Sequence, residues 1–178
     1  MDVFQEKIIP PTRSTPLEWT VVRRKFGMVV APITPDGRFL LVRQERIPIR
    51  MALWEFPAGQ VEDSHPDTII ATLHRELREE TGYELAPNAT ITPLGYFFSS
   101  QGFTDEHAYL FAATPVIPSG QARPEYDETI LEVKTFSMEE LRSMIANNEI
   151  RDGNTLALFA RMIATGFITP ESYAEKAL

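Results

Sequence analysis

Arg75-Glu76-Leu77-Arg78-Glu79-Glu80 sets three carboxylates and two guanidinium groups within six residues. In a helix, residues three and four apart share a face, so Glu76, Glu79 and Glu80 would crowd together. Like charges at that spacing destabilise a helix by a few tenths of a kcal/mol per pair, roughly. The helix dipole adds to the penalty, because the run falls in the last turns, where negative charge is disfavoured. Arg75 and Arg78 neutralise only part of the cluster. A hard divalent cation, which takes oxygen ligands, would offset the repulsion. A solvated acidic face is the bland alternative, but locally unfavourable placement without a local gain is where function is expected.

The elements that must position this cluster are legible around it. Pro57-Ala58-Gly59 reads as a glycine turn after a strand, and Ser64-His65-Pro66-Asp67 as a helix start, with Asp67 and Ser64 in a box-like arrangement. Ile69, Ile70, Leu73 and Leu77 form an apolar stripe separate from the acids, and Gly82 stops the helix before Tyr83.

With these positions set out, the segment resembles the signature of the Nudix hydrolases. Gly59, Arg75, Glu76, Leu77, Glu79, Glu80 and Gly82 match it in type and order. Asp67 stands where the family has Glu, an acid that supports the loop and helix start, so the resemblance offers that role as the alternative to the box with Ser64; the spacer after Gly59 is two residues longer than usual. The resemblance implies an α/β fold, an α/β/α sandwich around a mixed β-sheet with an N-terminal strand or arm. Its domain would occupy 17–178, with the signature at 59–83 and an extended arm at 1–16. It further implies Mg²⁺ as cofactor, with Mn²⁺ as an alternative, held by Glu76, Glu79, Glu80 and the carbonyl of Ala58. Glu79 can bridge to a second ion or hold Arg75.

The stretch from Leu41-Val42-Arg43-Gln44 to Trp54-Glu55-Phe56-Pro57-Ala58-Gly59 is similar to the ADP-ribose pyrophosphatase branch of that family. There an arginine approaches the substrate phosphates, which points to Arg43 or Arg46, with Glu55 and Gly59 also on the substrate side. The loop ending in Glu106 resembles one beside that branch's active site, although Gln101 replaces a usual Pro. A loop acid that orients or deprotonates water is expected at Glu128, or second at Glu125. The implied reaction is Mg²⁺-dependent cleavage of ADP-ribose or another nucleoside diphosphate sugar, giving a nucleoside monophosphate and a sugar phosphate. The alternatives are a housecleaning pyrophosphatase of nucleoside triphosphates and a non-catalytic nucleotide-binding regulator. A homodimer using the N-terminal strands is also implied.

Composition narrows the remaining classes. A chain of 178 residues, 43% hydrophobic and 24% charged, suits one soluble globular domain. The net charge of -8 argues against nucleic acid as partner, and clustered arginines and metal would have to reverse the field locally for a phosphate substrate. No apolar run reaches membrane-spanning length, and the start lacks a signal-peptide pattern. With no cysteine, thiolate metal sites and disulfides are excluded, and the cytoplasm is the expected compartment.

Elsewhere, Phe26 to Ile33 and Arg38 to Gln44 read as a hairpin about Pro35-Asp36-Gly37, with Phe39-Leu40-Leu41-Val42 covered on both faces. Arg23-Arg24-Lys25 is either a charge guard on an edge strand or a phosphate- or dimer-facing patch. Thr90 to Ser99, His107 to Thr114 and Thr129 to Phe136 are strands. Ser137-Met138-Glu139-Glu140 is a capping box. A last helix over Asn154 to Thr165 should bury Leu156, Phe159, Ala160 and Ile163 and stop at Gly166.

Overall fold

The computed structural model describes residues 2–123 and 129–169. Among these residues nine strands and three α-helices follow in order: β1 (Asp2–Ile8), β2 (Leu17–Arg23), β3 (Phe26–Pro32), β4 (Phe39–Arg46), β5 (Met51–Glu55), β6 (Ala58–Val61), α1 (Pro66–Thr81), β7 (Tyr83–Phe98), β8 (His107–Pro118), β9 (Ile130–Phe136), α2 (Met138–Ala146) and α3 (Gly153–Ala164). No described helix is long and apolar enough to cross a membrane.

The strands form three sheets, β1-β2, β6-β3-β8-β7 and β5-β4-β9. The four-stranded sheet is mixed, because β3 runs parallel to β8 and antiparallel to β6. Strand alternation sends β3 side chains to two cores. Met28 and Val30 pack with Ile69, Leu73 and Leu77 of α1, whereas Val29 and Ala31 pack with Leu158, Phe159 and Met162 of α3. Helices therefore cover both faces of the sheet, in the expected sandwich. Leu73 and Leu77 are fully buried, and burying each side chain contributes about 1.5–3 kcal/mol. That burial seats α1 and sets the direction of its acidic face.

Three expectations require correction. β3 and β4 are not hairpin partners: the only ladder pairing between their segments, among the described residues, is an isolated Ile33–Phe39 bridge. Both edges of β3 are taken by β6 and β8, and both edges of β4 by β5 and β9, so the Pro35-Asp36-Gly37 turn hands the chain from one sheet to another. Phe39, Leu40, Leu41 and Val42 are nonetheless all buried, as expected. In α3 the buried face is Thr155, Leu158, Phe159 and Met162, while Ala160 and Ile163 are exposed and Leu156 is half-buried. The cause is polar. Asp152 caps the helix by accepting from the Thr155 N–H and hydroxyl, both at 2.7 Å, and Thr155 in turn accepts the Phe56 N–H at 2.9 Å. That chain rotates Thr155 inward and carries the helix with it.

At the start of α1 the cap is His65 rather than a Ser64–Asp67 box. Its Nδ1 accepts from the Asp67 N–H at 3.3 Å, leaving the Asp67 carboxylate 95% exposed. Asp63 accepts the His65 N–H at 2.8 Å, and this bond, helped by Thr68, holds the Asp63 carboxyl below its usual range. At the other end Gly82 closes the helix at φ 71°, a left-handed conformation that suits glycine. The capping box of α2 is present in full, with Ser137 and Glu140 each accepting the other's backbone N–H.

Within the segment expected as an extended arm, β1 pairs antiparallel with β2 along its whole length, from Asp2–Arg23 to Ile8–Leu17, and residues 11–12 form a turn between them. The basic trio after β2 is spread over three partners. Arg23 meets Glu6 at 2.9 Å, Arg24 meets Glu106 at 3.1 Å and Lys25 meets Glu62 at 2.6 Å. These exposed pairs contribute roughly 0.2–1 kcal/mol each at most, so their main effect is to fix where the hairpin sits.

Candidate active site

The acidic face of α1 divides into two environments. Glu76 and Glu80 are buried, with 5% and 1% of their surface exposed, while Glu79 is half-buried. They reach the short strand that opens at Ala58. The Ala58 N–H donates to Glu80 at 3.1 Å. At Gly59, a Cβ would lie 2.1 Å from Glu76 Oε1 and 2.4 Å from its Cγ, so the Glu76 side chain lies directly against that backbone. Gly59 is thus required for close approach. The expected sharp glycine turn is not there, since the residue lies within β6 and outside the left-handed region.

Arg75 ties the two environments together. Its guanidinium donates to Glu76 at 2.6 Å and to Glu79 at 2.8 Å. Glu79 therefore holds Arg75, one of the two alternatives its position allowed. Among the described residues no three acidic or imidazole side chains converge into a cation cluster. What converges is a buried carboxylate pair on one peptide corner, an all-oxygen donor set if the Ala58 carbonyl joins it. Such a set fits a hard divalent cation that keeps several waters and takes other ligands from a phosphate substrate. Arg75 offsets part of the cost of burying these carboxylates, and the chemistry of the donors fits a divalent cation beside it.

Beside the pair lies a poised arginine. Arg46 donates to Glu55 through two nitrogens, at 2.9 and 2.5 Å, in the bidentate geometry that planar guanidinium favours. Glu55 is 2% exposed, whereas the Arg46 side chain is 40% exposed, so the carboxylate anchors and the cation faces outward. Burial pushes the Glu55 carboxyl up; the Arg46 hydrogen bond opposes this and the nearby Asp152 adds to it. Arg46 is pushed up chiefly by its bond to Glu55 and also feels Asp152 and Glu80, which places its charge in the field of one member of the carboxylate pair.

Arg43 sits one strand alternation away from this set. It is exposed and pairs in register with Trp54, while Val42 and Glu55 share the opposite face. Of the two candidate arginines, the structure brings Arg46 to the acids. Glu106 accepts from Ser99, just after β7, at 2.8 Å and pairs with Arg24 beside the N-terminal hairpin. Glu125 and Glu128 lie outside the described residues. Asp152 escaped the sequence reading because a helix-capping Asp carries no mark of what lies opposite it in space.

Two clefts of about 480 Å³ flank these elements. One separates the β1-β2 hairpin from the loop after β7 and is lined by Ile8, Leu17, Trp19, Val21 and Phe103 among others. The other lies against the last turns of α1, lined by Arg75, Arg78, Glu79, Arg123 and residues 119–121.

Comparison with known proteins bears on this geometry. The NUDIX domain family matches residues 23–159. ADP-ribose pyrophosphatase of Bacillus subtilis (strain 168) is 28% identical over 156 residues, spanning 87% of this chain and 80% of that protein. Methanol dehydrogenase activator of Bacillus methanolicus is 28% identical over 136 residues, 76% of this chain and 71% of that protein. GDP-mannose pyrophosphatase of Yersinia enterocolitica is 29% identical over 133 residues, 70% of this chain and 65% of that protein. A solved structure described as an ADP compounds hydrolase superposes with a TM-score of 0.70 at 12% identity, covering 94% of this chain and 96% of that one, a likeness of fold.

Proposed function

The chain belongs to the NUDIX domain family, and from that membership we propose that it hydrolyses the pyrophosphate bond of ADP-ribose or a related nucleoside diphosphate sugar, releasing a nucleoside monophosphate and a sugar phosphate. The observation that carries the reading is the pairing of buried Glu76 and Glu80 at the Ala58–Gly59 corner, with an outward-facing, carboxylate-anchored Arg46 in the same field. Pyrophosphatases of ADP-ribose and of GDP-mannose among the relatives support that substrate class.

In this reading Glu76, Glu80 and the Ala58 carbonyl hold a divalent cation, Mg²⁺ with Mn²⁺ as the alternative. When bound, it supplies charge stabilisation on the phosphoryl oxygens and a lowered pKa for bound water. Glu79 keeps Arg75 against Glu76 and so fixes that carboxylate's orientation. Arg46 clamps a phosphate oxygen with the face of its guanidinium not used by Glu55, and Glu55 sets the angle of approach. Glu128, with Glu125 second, orients or deprotonates the attacking water. Arg43 and Glu106 are left as contributors to the rim of the substrate site, and Gly59 as the residue that gives the substrate and Glu76 room.

A homodimer and a cytoplasmic setting belong to the same proposal. The dimer is supported by the apolar surface on and around the hairpin: Val3 and Ile9 are each 63% exposed, and Trp19 and Phe103 about half exposed.

The decisive experiment is a panel of ADP-ribose, GDP-mannose, ADP-glucose, dinucleotides and nucleoside triphosphates, assayed with Mg²⁺ and with Mn²⁺. Turnover of a nucleoside diphosphate sugar at least tenfold above any triphosphate is expected; cleavage of triphosphates alone would overturn the substrate class. A second reading, regulation of a partner enzyme, is favoured by the activator from Bacillus methanolicus among the relatives. Hydrolysis by the isolated protein, lost in Glu80→Gln, separates the two.

A further inference from the structure

We propose that the cleft between the last turns of α1 and the segment after β8 is a binding site for a phosphate-class oxyanion, held by Arg75, Arg78 and Arg123. The three arginines line one cleft of about 480 Å³, with Glu79 as the single acidic residue among its described lining residues. In a chain with a net charge of -8, that concentration of cations is a local reversal of sign.

The cleft is built. Its far wall is tied to the helix end by backbone bonds: Ser119 and Gly120 donate to the Gly82 carbonyl at 2.8 and 3.2 Å, and Arg123 donates to the Glu79 carbonyl at 2.7 Å. The approach is so close that a Cβ on Gly82 would lie 2.5 Å from the Gly120 carbonyl oxygen. Helix-dipole stabilisation accounts for Arg78 in the last turn, but not for Arg123, which arrives from a separate segment. Planar guanidinium forks match tetrahedral oxyanions through paired donors. No aromatic side chain is among the described lining residues.

Arg75 links this site to the carboxylate pair. It divides its donors between Glu76 and Glu79, and an anion in the cleft competes with Glu79 for it. The proposal goes beyond the hydrolytic reading, whose products both carry phosphate monoesters, but its test does not depend on that reading.

Inorganic phosphate and ribose 5-phosphate are each titrated calorimetrically into the metal-free wild-type protein at constant ionic strength, and into Arg78→Gln/Arg123→Gln. Saturable one-to-one binding is expected in the wild type, weakened at least tenfold in the double variant at unchanged melting temperature. If the double variant melts lower, Arg78→Gln alone decides, with a several-fold weakening expected. Equal affinity for the two probes identifies the phosphate group as the whole ligand, whereas tighter ribose 5-phosphate identifies a sugar monoester; either supports the site. No saturable binding in the wild type, or affinity unchanged by the substitutions, overturns it. A protein that hydrolyses its sugar nucleotide yet binds no phosphate sinks this site alone, and one that binds phosphate yet hydrolyses nothing sinks the hydrolytic reading alone.

Discussion

Substituting Gly59 by alanine isolates the role of the Glu76 position from that of its charge. The new Cβ would stand 2.1 Å from Glu76 Oε1, 2.3 Å from Cδ and 2.4 Å from Cγ, where ordinary contact begins at 3.4 Å. Every nearest atom belongs to one side chain, so the helix backbone need not move, but the carboxylate must retreat by more than about 1 Å. Overpacking of this kind costs about 1–3 kcal/mol, and relief through a single side chain places it at the low end. At roughly 2–4 °C per kcal/mol for a chain of this size, the melting temperature should fall by only a few degrees. Function is far less tolerant. Catalytic groups must be held within about 0.5 Å, and a displacement near 1 Å can cost about 100-fold in rate. Gly59→Ala should therefore lose about two orders of magnitude in kcat/KM, close to 2.7 kcal/mol of transition-state stabilisation, while remaining folded. Turnover of ADP-ribose with Mg²⁺, read through a phosphatase that releases phosphate from the monoester products, beside a thermal melt, measures both. A variant with wild-type kcat/KM would refute the claim that the Glu76 carboxylate acts from where it lies.

Other perturbations read other parts of the site. Glu80→Gln keeps an acceptor for the Ala58 N–H but removes the charge, so turnover should fall at least 100-fold with little change in stability; turnover within a few-fold of wild type counts against the cation site. Arg46→Ala leaves Glu55 buried without its bidentate donor and should cost about 1–3 kcal/mol in denaturant melts at neutral pH. Burial already raises the Glu55 carboxyl above its ordinary 4.5, so its ionisation weighs against the fold as pH rises through the window between those values. Without Arg46 that window extends upward, so the deficit should shrink on acidification, and Arg46→Ala/Glu55→Gln should recover stability without recovering activity. Ser137→Ala removes one half of the α2 capping box and should cost about 1 kcal/mol. The Glu140 carboxyl is held low mainly by the Ser137 backbone N–H, so its contribution is present above the ordinary glutamate range and lost as pH falls through its lowered value; melts from pH 7 to pH 3 follow it.

The acid-bearing helix α1 was legible because its signals are local. Helix periodicity placed Glu76, Glu79 and Glu80 on one side and Leu73 and Leu77 on the other, and Gly82 marks the end. The capping box at Ser137 was legible for the same reason. What sequence could not supply is anything decided by partners far along the chain. The Pro35-Asp36-Gly37 turn is a genuine turn, yet which edges β3 and β4 offer depends on β6, β8, β5 and β9. The rotation of α3 follows from Thr155 bridging Asp152 to the Phe56 N–H, a link across 99 residues. Which of Arg43 and Arg46 shares a face with Glu55 turns on strand alternation, which sets Arg46 on that side.

Glycine 59 shows how the local and distant signals meet. Its type was readable, but the reason for it was not, because the reason is a side chain arriving from α1 rather than a backbone angle. The spacer between Gly59 and the helix is longer than the family's usual length, and Asp67 leaves its carboxylate in solvent. Yet the acids still meet the Ala58–Gly59 corner, because Leu73 and Leu77 fix the helix against the sheet independently of that loop. A loop that merely connects two separately anchored elements can lengthen at small entropic cost. Shortening 62–64 by two residues should accordingly change stability by less than about 1 kcal/mol. A large loss of turnover on that deletion, with the melt unchanged, would mean instead that the loop itself reaches the substrate.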